Sequence, residues 1–186
     1  MMHNAANHWR ERVKAGETIK ASIVNTTSTS GLHSNVGQSN YGPAKSAIAT
    51  LSILGAKELG RYGIRVNAFA PAARTRMTES TPGLSDRMVA RDDGFDPWDP
   101  ANLSPLIAWL CMEDCPATGQ VYWLMGNRLA RYLEWAKADV AETDGRFSID
   151  EIDEIAGAWE TDIVDSRTLL VDGTTELTDF RRPPNR

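Results

Sequence analysis

The sequence predicts an α/β fold in which helices flank a parallel sheet. Segments with helical periodicity alternate with short apolar runs, in the order helix, strand, helix, strand, helix, strand. This alternation is typical of parallel sheets, because parallel strands need long crossover connections. Hydrophobic residues make up 41% and charged residues 24% of the 186 residues, as in globular domains.

The first predicted elements are a helix and a buried strand. Residues 2–15 are rich in Ala, Arg and Glu, and Gly16 ends this helix. The β-prone run at 21–26 suits a buried strand. Residues 27–40 are rich in Ser, Thr, Gly and Asn, which predicts a loop.

A long helix and a second strand follow. The helix is predicted over residues 41–61, where Pro43 is tolerated in the first turn. Residues 64–70 form the second strand, and 71–97 are irregular. We expect Asn67 within this strand to hold backbone groups rather than a ligand.

The last predicted helix of the sheet begins at Asp99, an N-cap residue followed by Pro100, and runs to about Met112. Residues 120–125 form the third strand. We therefore divide the chain into a domain over 1–127 and a partly helical C-terminal extension over 128–186. In the extension, Ser148 and Glu151 form a capping-box pair.

Composition and charge exclude several classes of protein. No apolar run approaches the roughly 20 residues of a membrane-spanning helix, and the first residues lack an apolar signal core. No dense basic patch indicates nucleic acid. Cys111 and Cys115 match no zinc pattern, so we expect no metal and a reducing cytoplasm.

Charge is divided unevenly along the chain. Residues 1–80 carry ten Lys or Arg against four Asp or Glu, whereas 81–186 carry ten against twenty-one. The basic part could serve a phosphate-bearing ligand, or its charges could simply solvate the surface.

Three residues form a candidate catalytic set. Tyr41 and Lys45 are four apart at the start of a helix and therefore share one face. An ammonium group close to a phenol stabilises the phenolate, and such a phenol can exchange a proton with a substrate oxygen. Ser28 follows the first strand, at the sheet edge where open α/β sheets bind ligands.

These residues, with the segment Val-Asn-Ala-Phe-Ala-Pro-Ala-Ala-Arg-Thr-Arg-Met-Thr at 66–78, resemble the short-chain dehydrogenase/reductase family over roughly residues 2–127. The resemblance implies a Rossmann-like sheet. It assigns Ser28 to orienting the substrate oxygen, Tyr41 to general acid/base catalysis, and Lys45 to stabilising the phenolate and bonding the nicotinamide ribose.

The same resemblance implies the cofactor and substrate. NAD or NADP would contact Tyr41 and Lys45, together with a segment that follows the second strand: Pro71, Ala72, Ala73 and Thr75. The pattern Pro-Ala-Ala-Arg-Thr-Arg-Met-Thr at 71–78 is most similar to the branch of (3R)-hydroxyacyl-CoA dehydrogenase domains of multifunctional β-oxidation enzymes and their bacterial relatives. The expected substrate is a 3-hydroxyacyl or 3-oxoacyl thioester.

One departure from the family is large. The sequence contains no G-x-G-x-x-G, and the family's dinucleotide-binding turn would lie upstream of residue 1. We therefore expect a Rossmann-like sheet without its N-terminal nucleotide-binding half. The chain would be truncated, or its start at Met1 would be too late, or another chain would supply the missing half. Such a chain alone would bind dinucleotide poorly and turn over substrate slowly or not at all.

An alternative function is a non-catalytic remnant or assembly piece. The family packs two helices across subunit interfaces, here residues 2–15 and 41–61, so we expect a homo-oligomer formed through them. A serine hydrolase using Ser28 is disfavoured, because no G-x-S-x-G elbow surrounds it.

Overall fold

A computed structural model describes residues 1–80, 88, 94–135, 137 and 139–159. The chain divides into one unit over Met1–Leu133 and a second that begins at Glu134.

The first unit is built on a four-stranded sheet. Its strands, in spatial and chain order, are β1 (Ala21–Thr26), β2 (Ile64–Pro71), β3 (Val121–Met125) and β4 (Arg128–Tyr132). β1, β2 and β3 are parallel, which confirms the predicted fold class, and β4 is antiparallel to β3. β4 was not predicted. The predicted boundary at residue 127 therefore falls in the turn between β3 and β4, and the sheet continues to Tyr132.

Helices flank the sheet. They are α1 (Met2–Lys14), α2 (Thr29–His33), α3 (Tyr41–Leu59), α4 (Arg76–Glu79) and α5 (Ser104–Cys111). A 3-10 turn over Gly60–Tyr62 extends α3, and another over Pro100–Leu103 precedes α5. The helices predicted at 2–15 and 41–61 are confirmed. α2 lies within the predicted loop 27–40.

Side chains of β2 contribute to an apolar cluster on each face of the sheet. Ile64 and Val66 are fully buried against Ala6 of α1 and Ala56 of α3. On the opposite face, a second cluster forms from β2, α5 and β3; it contains Phe69, Leu106, Leu110 and Leu124. Burying an aliphatic side chain of this size stabilises the fold by about 1.5–3 kcal/mol.

Asn67 is fully buried in β2 and holds backbone groups, as expected. Its amide nitrogen donates to the carbonyl oxygen of Ala117 at 2.8 Å, and its amide oxygen accepts from the backbone nitrogen of Gln120 at 3.0 Å. These two bonds fix the chain just before β3.

Gly63 fixes the chain at the start of β2. Its φ is +74°, and a Cβ here would lie 1.9 Å from the carbonyl oxygen of Ile19. Its own carbonyl accepts from the backbone nitrogen of Ala21 at 3.1 Å. Only glycine fits this turn, which sets the register of β1 against β2.

The second unit contains α6 (Ile149–Gly157) among its described residues. The predicted capping box is present: Glu151 N donates to Ser148 Oγ at 3.2 Å, and Ser148 N donates to Glu151 Oε2 at 2.8 Å. Across the described part of the chain, no helix is long and apolar enough to span a membrane.

Candidate functional site

The carboxyl ends of β1 and β2 lie side by side, because the two strands are parallel. The backbone nitrogen of Thr27 donates to the carbonyl oxygen of Phe69 at 2.9 Å, so the pairing continues just beyond β1. The segments that follow β1 and β2 therefore begin at the same edge of the sheet. This is the edge at which open α/β sheets bind ligands.

Tyr41 and Lys45 lie one turn apart at the start of α3. The Lys45 ammonium nitrogen is 5.6 Å from the centroid of the Tyr41 ring. The Tyr41 side chain is 43% exposed, so a ligand can reach its hydroxyl. The Asn40 side chain caps the helix, accepting from the backbone nitrogen of Tyr41 at 2.7 Å.

Lys45 is held against the end of β1. Its ammonium donates to the carbonyl oxygen of Thr26 at 3.0 Å. The hydroxyl of Thr27, a residue only 1% exposed, donates to the carbonyl oxygen of Lys45 at 2.6 Å. Sequence reasoning missed Thr27, because nothing distinguishes it from the other hydroxyl residues in the run from Thr26 to Ser30.

Ser28 is the N-cap residue of α2. Its hydroxyl oxygen accepts from the backbone nitrogen of Ser30 at 3.2 Å. This bond satisfies one of the free N–H groups at the helix start and leaves the hydroxyl hydrogen available for donation.

α2 packs directly on the first turns of α3. A Cβ at Gly31 would lie 2.5 Å from the backbone nitrogen of Ser46 and 2.8 Å from Cβ of Lys45. A Cβ at Gly42 would lie 3.1 Å from the carbonyl oxygen of Ser30. Each helix thus uses a glycine where it meets the other, and the Ser28 segment is brought close to the helix turn that carries Lys45.

The predicted cofactor segment follows β2. Pro71 ends the strand, the backbone nitrogen of Ala72 donates to Leu124 at 3.0 Å, and Ala73 is buried. Thr75 caps α4, with its hydroxyl accepting from the backbone nitrogen of Thr78 at 3.3 Å.

None of the described contacts joins Thr75 to Tyr41 or Lys45, and its position in a cofactor site stays a prediction.

An ion pair fixes the chain after β2. Arg74 Nη2 lies 2.5 Å from Asp96 Oδ2, and Arg74 Nη1 donates to the carbonyl oxygen of Met88 at 3.1 Å. The hydrogen bond from Arg74 lowers the pKa of Asp96; partial burial opposes this shift. The pair joins residues 22 positions apart, so sequence spacing did not reveal it.

A further contact joins α2 to β4. His33 Nε2 lies 2.7 Å from the Tyr132 hydroxyl, and the two ring centroids are 5.3 Å apart. Because β4 was not predicted, this contact was missed as well. Among the described residues, no group of three His, Cys, Asp or Glu side chains could hold a metal ion.

The Tyr41–Lys45 pair lies within a segment that matches a known family. Residues 2–84 match the family described as short chain dehydrogenase. The predicted family resemblance is confirmed.

Similar proteins include enzymes acting on hydroxyacyl-CoA. The hydroxyacyl-CoA dehydrogenase ChsB1 of Mycobacterium tuberculosis is 36% identical over 132 residues, which cover 69% of this chain and 41% of the relative. This chain therefore spans less than half the length of that relative.

Solved structures give the same fold. A short chain dehydrogenase from Mycobacterium avium aligns with a TM-score of 0.70 and 40% identity, over 84% of this chain and 50% of its own. A 4-hydroxyisoleucine dehydrogenase complexed with NADH aligns with a TM-score of 0.53 and 27% identity, over 67% of this chain and 51% of its own. The Rossmann-like architecture is thereby confirmed.

We predict that Asp96→Asn lowers the free energy of unfolding at pH 7, because the neutral amide loses the ion pair with Arg74. The folded pKa of Asp96 is lowered, so the ionised carboxylate stabilises the fold above its unfolded pKa of about 3.9. This contribution is lost as the pH falls through the lower folded pKa. Urea unfolding of both proteins across a pH series measures the difference.

Glu113→Gln provides the control, because Glu113 pairs with Lys20 at an exposed position. We expect it to change stability little at any pH. If Asp96→Asn lowers the free energy of unfolding by the same amount in strong acid as at pH 7, the result would contradict a role for the ionised carboxylate.

Proposed function

We propose that this chain carries the proton-transfer site of an NAD(P)-dependent oxidoreductase that interconverts a secondary alcohol and a ketone. The observation that carries the proposal is the accessible Tyr41 phenol with the Lys45 ammonium 5.6 Å from its ring, at the ligand-binding edge of the sheet. This pair lies within the residues that match the dehydrogenase family.

The proposed substrate is a 3-hydroxyacyl or 3-oxoacyl thioester. Its support is the likeness to a hydroxyacyl-CoA dehydrogenase, 36% identical to this chain. The segment over residues 71–78, which resembles the (3R)-hydroxyacyl-CoA dehydrogenase branch, favours the same substrate class.

Tyr41 moves the proton. In the oxidising direction, the Tyr41 oxygen takes the proton of the substrate hydroxyl while the carbon–hydrogen bond breaks; in the reducing direction it returns that proton to the carbonyl oxygen. The ammonium of Lys45 stabilises negative charge on the phenol oxygen during this exchange. Its hydrogen bond to the Thr26 carbonyl holds the ammonium at the strand end.

Ser28 orients the substrate oxygen. Its hydroxyl accepts from the Ser30 backbone and keeps its hydrogen for donation. A donor fixed at a helix N-cap costs little reorganisation when the substrate binds, which favours a productive orientation.

The residues at this edge fit a nicotinamide dinucleotide. An exposed phenol and an ammonium group can hydrogen-bond a ribose, and the segment Pro71–Thr75 lies after the neighbouring strand. NAD(P), when bound, supplies the hydride acceptor or donor. Because the 186 residues contain no G-x-G-x-x-G, we expect weak binding of its pyrophosphate.

We predict that Tyr41→Phe lowers kcat/KM by at least about 100-fold, because the general acid/base group is lost. The assay follows NADH absorbance with a (3R)-hydroxyacyl-CoA and millimolar NAD, to offset weak cofactor binding. Tyr122→Phe is the matched control: Tyr122 lies on β3, and burial raises the pKa of its phenol. Activity in Tyr41→Phe equal to wild type, or no turnover by the wild type, would contradict the proposal.

We also infer that the chain assembles with a second copy through α1 and α3. Leu51 and Leu54 of α3 are 47% and 48% exposed, an unusual degree for helical leucines in the middle of a long helix. The same interface supports the alternative function, a non-catalytic assembly piece.

Leu51→Glu is expected to shift the protein toward monomer, because the carboxylate would be desolvated at the interface. Light scattering after size exclusion measures the mass. Leu129→Glu is the control, since Leu129 is also exposed, at 59%, but lies on β4. A wild-type protein that is monomeric at high concentration would exclude this interface.

A further inference from the structure

A polar cavity lies at the end of α3 opposite to Tyr41. Its volume is about 340 Å³, and we call it the α3-end cavity. Its lining comes from α1, the last turn of α3 and the following 3-10 turn: Arg10, Lys57, Glu58, Leu59, Arg61 and Tyr62. At 1.5 Å per residue, α3 separates Lys57 from Tyr41 by about 24 Å, so this cavity is distinct from the proposed active site.

The α3-end cavity carries excess positive charge. Apart from Lys57, its charged lining consists of the guanidinium groups of Arg10 and Arg61 and one carboxylate, that of Glu58. Two of the cations share the same tyrosine: the guanidinium carbon of Arg61 lies 4.8 Å from the Tyr62 ring centroid, and that of Arg10 lies 5.5 Å from it. Within the described residues, neither arginine forms an ion pair with a carboxylate.

Arg10 also has an unsatisfied donor. Its Nε is buried and has no hydrogen-bond partner among the described residues. Its Nη1 makes one long bond of 3.4 Å to the side-chain oxygen of Asn7. A buried N–H without an acceptor costs free energy, so the Arg10 side chain is not fully satisfied by the described residues.

Tyr62 supplies a neutral donor between the two arginines. Burial raises the pKa of its phenol, but Arg10 and Arg61, as hydrogen-bond donors and as positive charges, lower that pKa by more. The phenol hydrogen is thereby polarised for donation to an anionic oxygen.

The dipole of α3 explains only some of the cationic side chains that line the α3-end cavity. Lys57 and Arg61 lie near the C-terminus of α3, where cations are favoured. Arg10 comes from a different helix, however, and its buried Nε is not explained by the dipole of α3.

We propose that the α3-end cavity binds a phosphate-type dianion through the guanidinium groups of Arg10 and Arg61 and the hydroxyl of Tyr62. Two guanidinium groups that converge on one phenol suit a doubly charged oxyanion. Donors arriving from two helical elements and a phenol suit an oxyanion that accepts hydrogen bonds in several directions. Two sources share this chemistry: free phosphate and a phosphate monoester on a small metabolite.

The direct test is calorimetric titration of the intact chain with inorganic phosphate, at an ionic strength held constant with potassium chloride. We expect Arg10→Gln and Arg61→Gln each to weaken binding by about tenfold, because each removes a charge-assisted hydrogen bond. Arg12→Gln is the matched control: Arg12 lies on α1 as well, but its guanidinium pairs with Glu17 at 2.6 Å. We expect that variant to bind like wild type.

A second measurement identifies the contacting phenol. Because a nearby dianion opposes ionisation, phosphate should raise the pKa of Tyr62, seen by ultraviolet titration as a shift that Tyr62→Phe abolishes. Adenosine 5′-monophosphate binding more tightly than phosphate would indicate a phosphorylated metabolite; equal or weaker binding would indicate the free ion.

Several results would overturn the proposal. The first is the absence of phosphate binding at millimolar concentration, and the second is acetate binding as tightly as phosphate. The third is an equal loss of phosphate affinity in Arg12→Gln and Arg61→Gln. If Arg10→Gln fails to fold, the exposed Arg61 still decides the test, since wild-type affinity in Arg61→Gln contradicts the proposed contact. None of these readouts depends on dehydrogenase activity.

Discussion

The contact between α2 and α3 determines the geometry of the candidate site. At Gly31 the two backbones approach so closely that a single added Cβ would lie 2.5 Å from the nitrogen of Ser46. Ser28 caps α2, and Lys45 precedes Ser46 in α3, so this approach brings the serine segment close to the helix turn that carries Lys45. The buried hydroxyl of Thr27 strengthens the same junction by donating to the Lys45 carbonyl.

The two ends of α3 carry different chemistry. The first turn presents Tyr41 and Lys45 at the carboxyl edge of β1 and β2, where an accessible phenol next to an ammonium suits proton transfer. The last turn contributes to a cationic cavity with Arg10 of α1. Apolar packing against α1 and β2 holds the last turns of α3 through Ala56 and Leu59.

The sequence allowed much of this arrangement to be predicted where the determining interactions are local. β1 and the start of α3 follow from apolar runs and from Pro43, and the approach of Lys45 to Tyr41 follows from helical spacing. α2 has five residues, too few to show a period, and β4 forms only by pairing with β3. The Thr27–Lys45 and Arg74–Asp96 bonds join residues 18 and 22 positions apart, which only the folded chain brings together.

The most direct measurement of the α2–α3 contact compares the free energy of unfolding of Gly31→Ala with that of Gly37→Ala in urea. Gly37 has a φ of +82° with nothing within 4 Å, so alanine there incurs only a backbone cost of about 1–2 kcal/mol. At Gly31 the added Cβ meets backbone atoms that have to shift, and we expect a loss of about 3 kcal/mol or more. A Gly31→Ala protein as stable as Gly37→Ala would contradict the view that this contact builds the site.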